Sequence, residues 1–180
     1  MKKTLCVLLV VFFASALPVA AEVQWHDGRW QLELSGSAGI HSGSSDRSGD
    51  YMLKGLVEYE VPFAPRWTLG LRALPVFVYE QDDRGEDTVW GGGAGLGLRV
   101  YSAKEEYRGW FAELGAHALG HKHRFADNNS NLNFLTSAGI GYKCKAGWHS
   151  AVRWEHISNA GIGSDNSGVN VITLGIGYAF

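Results

Sequence analysis

The chain has 180 residues, of which 46% are hydrophobic and 19% charged, and its formal net charge is −2. This mildly acidic balance gives no reason to expect a nucleic-acid partner, and the length suits one domain. The two cysteines, Cys6 and Cys144, exclude a disulfide framework, because Cys6 lies in a segment that we expect to be removed.

The first segment, Met1 to Ala21, has the pattern of a secretory signal peptide. Lys2 and Lys3 form a basic start, and the apolar run that follows is too short to span a bilayer comfortably. Small residues at the end of the segment permit cleavage before Glu22. The mature chain would then have 14 basic and 18 acidic residues and a net charge of −4. We therefore expect an exported protein with a single domain over residues 22–180.

Eight successive segments of this domain alternate between two kinds of side chain. The last segment is the most regular: every second residue from Ile172 to Phe180 is large and apolar, and the residues between them are small. This two-residue period is typical of a transmembrane β-strand with one face towards lipid. An aromatic last residue after such a strand resembles the sorting signal of bacterial outer-membrane barrels. The predicted strands are 29–41, 51–63, 67–80, 88–101, 108–120, 131–144, 148–158 and 169–180.

Eight antiparallel strands make the smallest outer-membrane barrel, so the predicted fold is all-β, an eight-stranded antiparallel transmembrane β-barrel. The breaks between the strands alternate between short turns and longer polar loops. Barrels of this kind keep the short turns in the periplasm and the longer loops outside, which orients the chain. Tryptophan side chains favour the membrane interface. Four of them open the odd-numbered strands at the periplasmic end: Trp30, Trp67, Trp110 and Trp148.

Strand parity divides the side chains into a lipid-facing set and an interior set. The predicted lipid face includes Leu69, Leu71, Phe77, Leu96, Leu98 and Val100. The predicted interior contains Lys54, Glu58, Arg72, Arg99, Glu113, Lys143, Arg153 and Glu155. Charges of both signs can pair in such an interior, away from hydrocarbon.

Two further patterns suggest ligands but have simpler explanations. The glycine-rich stretch from Gly91 to Gly97 has no Lys-Ser/Thr ending and no helix start after it, so it does not predict a phosphate loop. Glycines there suit a narrow, curved barrel wall.

His117, His121 and His123 share strand parity, but no carboxylate or thiolate completes a metal site. Solvated side chains at the barrel mouth are the simpler interpretation, and we expect neither a metal nor another cofactor.

The seventh strand has polar residues on its lipid-facing side. By parity, His156 and Ser158 share the face of Trp148, Val152 and Trp154, whereas Glu155 points inwards. Because the strand rises from the periplasmic end, His156 and Ser158 would lie at the level of the outer leaflet. A serine hydroxyl needs a neighbouring base to become a nucleophile at neutral pH. The pattern therefore favours an enzyme that attacks a lipid.

Asn170, on the eighth strand, has the outward parity of Ile172 and would face His156 and Ser158 across the hairpin. Three polar groups would then converge on one lipid-facing patch, where burial without a function is costly. The alternative is that this patch lies just above the hydrocarbon, where polar residues are ordinary, and His-x-Ser alone is a weak motif. The shared face, the depth and the third polar group favour the catalytic interpretation.

Two motifs lie near the end of the chain: HISNAG at 156–161 and, before the terminal strand, NSGVN at 166–170. In these two motifs the chain resembles the lipid A 3-O-deacylase (PagL-like) family. The resemblance implies an eight-stranded outer-membrane barrel that hydrolyses the ester at the 3-position of lipid A and releases a 3-hydroxy fatty acid. It also makes His156 the base and Ser158 the nucleophile. Asn159, with the backbone around Gly161, would hold the oxyanion.

The chain departs from that family at Asn170, where the family carries a glutamate. A carboxylate both orients the histidine and stabilises its charged form, whereas an amide can only orient it. Cysteine proteases use an asparagine as the third member, so the position can still function. Asp165 lies in the adjoining loop and could approach, whereas Glu155 points inwards. The expected consequence is a weaker activity or a different substrate.

Two other interpretations remain open at this point. The first is a non-enzymatic small barrel used for adhesion, membrane integrity or the passage of small apolar molecules. The second is an outer-membrane phospholipase, because the same three side chains permit that chemistry. The partners we expect are lipid A or lipopolysaccharide as substrate and the surrounding outer-membrane lipid, with a homodimer as an open option.

Overall fold

A computed structural model describes residues 27–41, 46–82, 88–104, 106–125 and 128–180. The predicted signal peptide lies outside these residues. Eight antiparallel strands form one closed sheet in chain order, and β1 closes the barrel by pairing with β8. The strands are β1 (Arg29–Gly39), β2 (Tyr51–Ala64), β3 (Trp67–Glu80), β4 (Thr88–Tyr101), β5 (Gly109–Lys122), β6 (Leu132–Lys143), β7 (Trp148–Ser158) and β8 (Val169–Ala179). No helix in the described ranges is long and apolar enough to cross a membrane.

The strand prediction is confirmed, with small shifts at the ends. β5 continues to Lys122, two residues beyond its predicted end, and β1 ends at Gly39, two residues early. The glycine-rich stretch from Gly91 to Gly97 lies within β4, as expected for a barrel wall. Exposure alternates along the strands with a period of two, so each strand presents one face outwards and one face inwards.

The barrel interior is filled by paired charges. All eight predicted interior residues are buried: Lys54, Glu58, Arg72, Arg99, Glu113, Lys143, Arg153 and Glu155. The carboxylate of Glu113 accepts hydrogen bonds from three arginines, at 2.7 Å from Arg72, 3.1 Å from Arg99 and 2.5 Å from Arg153. A residual cavity of about 10 Å³ beside His117 has room for no more than one water molecule. The described part of the lumen is therefore a packed core of paired charges.

Glycines on the inward face make room for this core. A Cβ at Gly70 would collide with the Glu58 carboxylate, and a Cβ at Gly97 would collide with the Arg72 guanidinium. The charged side chains can therefore lie across the adjacent strand, because that strand has no side chain at these positions.

The prediction that Phe77 faces lipid is wrong. The register of β3 against β4 shifts between Leu74 and Phe77, so that Pro75 and Val76 are both exposed and the parity inverts beyond them. Pro75 has no N–H to donate to the ladder, which explains why the irregularity occurs here. Phe77 is consequently buried in an apolar cluster at the outer end of the barrel, stacked 6.4 Å from Phe125. Of the other predicted lipid-facing residues, Leu71 and Leu96 are exposed, and Leu69, Leu98 and Val100 are half-buried.

The short-turn end of the barrel carries a ring of aromatic side chains. Three exposed tryptophans each contact a tyrosine on the neighbouring strand, with ring centroids 5.0 to 5.4 Å apart. These pairs are Trp30–Tyr59, Trp110–Tyr142 and Trp148–Tyr178. Trp67 lies at the same end and is half-buried. Amphipathic rings at one depth mark a membrane interface, so the opposite end of β7 lies towards the other leaflet.

Candidate active site

The structure brings His156 and Asn170 together on the outer wall. They are direct partners in the register of β7 and β8, and His156 Nδ1 lies 3.0 Å from Asn170 Oδ1. Because a carbonyl oxygen only accepts, Nδ1 carries the proton, and Nε2 remains as the acceptor. Asn170 is only 8% exposed although its parity is outward, because its neighbours cover it. The pair thus presents an oriented imidazole with one available basic nitrogen.

Ser158 follows His156 on the same face of β7 and is also half-buried. Their Cα atoms are separated by two strand residues, about 6.5 Å. Within the described part of the chain the Ser158 hydroxyl has no hydrogen-bond partner, and His156 Nε2 has none either. The Ser158 hydroxyl and the His156 imidazole are therefore adjacent but not joined by a hydrogen bond. Catalytic contacts of this kind often close only when substrate binds.

The imidazole of His156 has close neighbours on more than one side. The Trp154 ring lies nearly parallel to it, with centroids 6.0 Å apart and 13° between the planes. On another side, a Cβ on Gly168 would lie 2.7 Å from His156 Cε1, so only glycine fits there. Together with the bond to Asn170, these contacts restrict the ring to one orientation. The sequence analysis placed Trp154 on the same face but assigned it no role.

The expected oxyanion groups are occupied elsewhere in this structure. Asn159 is fully buried, and its Nδ2 donates to Asn128 Oδ1 at 3.2 Å and to Asp165 O at 2.9 Å. The backbone N–H of Gly161 donates to Asn159 Oδ1 at 2.9 Å. The structure therefore gives Asn159 the role of a loop anchor, and its amide does not point towards the outer wall.

Asn166 has an exposed side-chain amide that bonds to the backbone of the residue after Ser158. Its Oδ1 accepts from the backbone N–H of Asn159 at 3.0 Å, and Asn159 directly follows Ser158. Since the oxygen is used in this bond, the NH₂ end of the Asn166 amide remains available for a ligand. The motif that contains Asn166 was recognised in the sequence, but its loop conformation could not be read there.

The loop after β7, residues 159–168, is fixed from two sides. On one side it contacts the preceding outer loop, where Asn128 forms a β-bridge with Asn166 and donates to Asn133 Oδ1 at 2.8 Å. On the other side, the buried Arg47 donates from Nη2 to Ser167 Oγ at 2.6 Å. These contacts hold the site loop over the barrel mouth, and none of them was predicted.

Neither nearby acid reaches the imidazole. Glu155 points inwards as predicted, is 2% exposed and pairs with Lys54. Asp165 is exposed, and its Oδ2 accepts from Ser164 Oγ at 2.9 Å. Among the described residues, His156 takes part in no ion pair. The polar group that contacts the His156 imidazole is therefore the neutral amide of Asn170.

The three histidines of β5 do not share one environment. His117 is buried in the interior, whereas His121 accepts from Asn133 Nδ2 at 2.6 Å near the barrel mouth. β5 ends before His123, which has a positive φ of 61° and loses the strand parity. In the described ranges, no group of three His, Cys, Asp or Glu side chains is arranged to hold a metal.

A shallow apolar groove runs along the outer wall beside the site. Its floor is formed by Gly36 and Ala38 of β1, where small side chains leave a depression. Ile172 and Leu174 of β8 form one wall, and Tyr51 and Leu53 of β2 form the other. Ile172 is the register partner of Trp154, so the groove begins two register positions below His156 and Asn170 and extends towards the bilayer centre.

Two solved barrels resemble the chain, and the first of them supports the fold. A protein described under "De novo design of transmembrane beta-barrels" superposes with a TM-score of 0.51 at 9% identity, covering 88% of this chain and 99% of that chain. The outer membrane protein OprG from Pseudomonas aeruginosa gives a TM-score of 0.45 at 15% identity, covering 85% of this chain and 96% of that chain. The comparison with curated proteins finds no match.

The family comparison covers most of the chain. The sequence profile described as "Lipid A 3-O-deacylase (PagL)" matches residues 13–179, which include all eight strands and both motifs of the candidate site. A match of this extent agrees with the closed barrel and points to the bacterial outer membrane. The chain therefore belongs to the lipid A 3-O-deacylase (PagL) family of outer-membrane hydrolases.

Proposed function

We propose that this protein is a serine esterase that removes the 3-O-linked 3-hydroxyacyl chain of lipid A in the outer leaflet. The observation that carries the proposal is the oriented imidazole of His156, bonded to Asn170 at 3.0 Å on the lipid-exposed wall, with the Ser158 hydroxyl next to it. A membrane barrel has no structural need for these groups on that face. Family membership supplies the substrate class.

In the first half of the reaction, Ser158 Oγ attacks the ester carbonyl and His156 Nε2 accepts the hydroxyl proton. The bond from Nδ1–H to Asn170 Oδ1 keeps the other nitrogen directed at the nucleophile. The tetrahedral intermediate then collapses, the sugar oxygen leaves, and His156 returns the proton to it. The products of this step are the free 3-hydroxyl of the lipid and an acyl ester on Ser158.

In the second half, His156 removes a proton from a water molecule, which attacks the acyl ester. Collapse of the second intermediate releases the fatty acid, and the proton returns to Ser158 Oγ. Because the site lies at the end of β7 beside the outer loops, water can approach from above while the acyl chains stay in the bilayer.

The oxyanion that forms in both halves needs donors, and we assign this role to the Asn166 amide and the adjoining backbone. Asn159 supports them indirectly, because its backbone N–H holds Asn166 Oδ1 at 3.0 Å and its side chain anchors the loop. A preorganised donor of this kind typically contributes a factor of about 10² to 10³ in kcat.

We place the acyl chain of the substrate in the groove over Gly36 and Ala38. The groove is apolar, faces lipid and begins next to Trp154, so an acyl chain can stay in hydrocarbon while its ester reaches Ser158. The paired charges that fill the lumen argue against the alternative of a barrel for the passage of small molecules.

A phospholipase would use the same three groups, so the test must compare substrates. Purified protein in mixed micelles is given lipid A or a diacyl phospholipid, and the released acids and remaining lipids are analysed by mass spectrometry. We expect loss of one 3-hydroxyacyl chain from lipid A and much slower release from phospholipid. Faster release from phospholipid would contradict the substrate assignment.

The matched control for the nucleophile is Ser150, which lies on the same face of β7 nearer the periplasmic end. Ser158→Ala should abolish acyl release, and Ser150→Ala should leave it unchanged. Wild-type release from Ser158→Ala, or no release from the wild type on either lipid, would overturn the proposal.

A further inference from the structure

The proposed reaction creates a positive charge that has no carboxylate next to it. When His156 accepts the Ser158 proton, the imidazole becomes a cation, and its hydrogen-bond partner is the neutral amide of Asn170. In the described part of the chain no acidic side chain contacts His156. On the lipid-facing wall, water screens such a charge poorly. Some other group must stabilise it if the enzyme is to turn over efficiently.

Trp154 is the side chain placed to do so. It precedes His156 by two residues on the outer face of β7, and the two rings lie 6.0 Å apart with 13° between their planes. Gly168 leaves room for the imidazole, and the ring cannot turn away from the indole without losing its hydrogen bond to Asn170. Indole has the most electron-rich face among the aromatic side chains and attracts cations within about 6 Å of its centroid.

We propose that Trp154 is a positioning residue that stabilises the His156 imidazolium through a cation–π interaction, in place of part of the charge that a carboxylate at position 170 would supply. The inference rests on the proposed function, because the imidazolium forms only if His156 acts as the base. Trp154 thereby compensates, within this chain, for the amide of Asn170.

The interaction has a characteristic effect on the kinetics. Because the cation exists only during the reaction, its stabilisation lowers the barrier of the chemical step and leaves substrate binding unchanged. Loss of Trp154 should therefore reduce kcat, by roughly three- to tenfold. If Trp154 instead served as a wall for the acyl chain in the adjoining groove, its loss would chiefly raise KM.

A series at position 154 separates ring electrostatics from ring shape. Trp154→Phe should retain more kcat than Trp154→Leu, because phenylalanine keeps an electron-rich face. Trp154→pentafluorophenylalanine has nearly the phenylalanine shape, but fluorine withdraws electron density from the ring face. We expect its kcat to fall to that of Trp154→Leu. Equal kcat for the phenylalanine and pentafluorophenylalanine variants would overturn the proposal.

A double-mutant cycle with Asn170→Glu provides the second test. The glutamate supplies the missing charge, so Trp154→Leu should cost less than about twofold in kcat in that background, compared with three- to tenfold in the native one. A merely structural role predicts the same loss in both backgrounds, and that result would contradict us. The position-154 series does not depend on Asn170→Glu, so it decides the question even if that variant fails to fold.

Trp148→Leu is the matched control, since Trp148 lies on the same face of the same strand at the periplasmic end. It should leave kcat unchanged for the folded protein. All variants are compared at equal amounts of folded barrel, measured by heat-modifiable gel mobility. A wild type without Ser158-dependent acyl release would refute the proposed function itself. Normal wild-type release with no kcat loss in Trp154→Leu would refute only the role of Trp154.

Discussion

The interior of this barrel and the upper part of its outer wall both contain polar side chains. The charged groups of the interior and the polar groups of the outer wall differ in whether they have bonding partners. Inside, Glu113 accepts from three arginines, and its neighbours pair in the same way, so the charges satisfy one another. Outside, no described residue bonds to the Ser158 hydroxyl, and among the described residues only one ring nitrogen of His156 has a hydrogen-bond partner. The paired charges of the lumen have a structural role, whereas we propose a catalytic role for the two groups on the outer wall.

The largest expected loss of activity tests the polar residues on the outer wall, His156 and Ser158. His156→Ala should reduce acyl release by at least about a thousandfold, because Ser158 loses its base. The His156→Ala/Ser158→Ala double variant should be no worse than either single variant, since the two groups act as one unit. The barrel should remain folded, because neither side chain belongs to the core. Multiplicative losses, measured as initial rates of fatty-acid release, would show that the two residues work independently.

The next largest effect is on stability and tests the paired charges of the interior. Glu113→Ala leaves three arginines facing one another in the lumen, so we expect a loss of about 3–5 kcal/mol in the free energy of unfolding. Activity per folded molecule should stay unchanged. Urea titration in lipid vesicles, followed by tryptophan fluorescence, measures the stability.

The exposed pair of Glu106 and Arg108 supplies the control for that experiment. Glu106→Ala should change the free energy of unfolding by less than about 1 kcal/mol, because a solvent-exposed ion pair contributes little. Equal losses from the Glu113 and Glu106 variants would mean that the interior charges do not hold the barrel together as described.

A smaller effect concerns the third member of the outer site. Asn170→Ala removes one hydrogen bond to the imidazole and should lower kcat by roughly three- to tenfold, less than loss of His156 or Ser158. Asn170→Glu should raise kcat, because the carboxylate stabilises the charged histidine. Asp165→Asn, in the same loop, should change kcat by less than about twofold. A larger loss from Asp165→Asn would identify Asp165 as the acid that serves His156.

The smallest expected effect concerns which residues of β3 face lipid and which face the interior. A spin label at Val76 should be accessible to oxygen in the bilayer, and a label at Phe77 should be protected, because the bulge inverts the parity of β3. Labels at Leu174 and Ile176 provide the reference for full lipid exposure. The reverse pattern at 76 and 77 would show that β3 is regular and that Phe77 faces lipid.

Side-chain alternation was enough to predict the eight strands, the interior charges and the pairing of His156 with Asn170. These features follow from a local period of two, which is visible in the sequence. The burial of Phe77 was not predictable in the same way, because one irregularity at Pro75 inverts every later residue of its strand.

The conformation of the loop after β7 also could not be predicted from the sequence. Asn159 is buried because its amide reaches Asn128, 31 positions earlier, and Arg47 contacts Ser167 across 120 positions. No local pattern encodes such contacts, so the sequence did not show that the Asn159 side chain anchors the loop, and its part in holding the oxyanion stays a prediction. The stacking of Trp154 on His156, in contrast, joins residues two apart on one face and could have been inferred from parity.

The most direct test of the central claim is the lipid A of cells that carry the protein. Lipid A is isolated from a bacterial host that expresses the wild type, Ser158→Ala or no protein, and is analysed by mass spectrometry. We predict that only the wild type yields lipid A that lacks one 3-hydroxyacyl chain, with a free hydroxyl at the 3-position. Identical lipid A from all three cultures, or the same loss with Ser158→Ala in the outer membrane, would contradict the account.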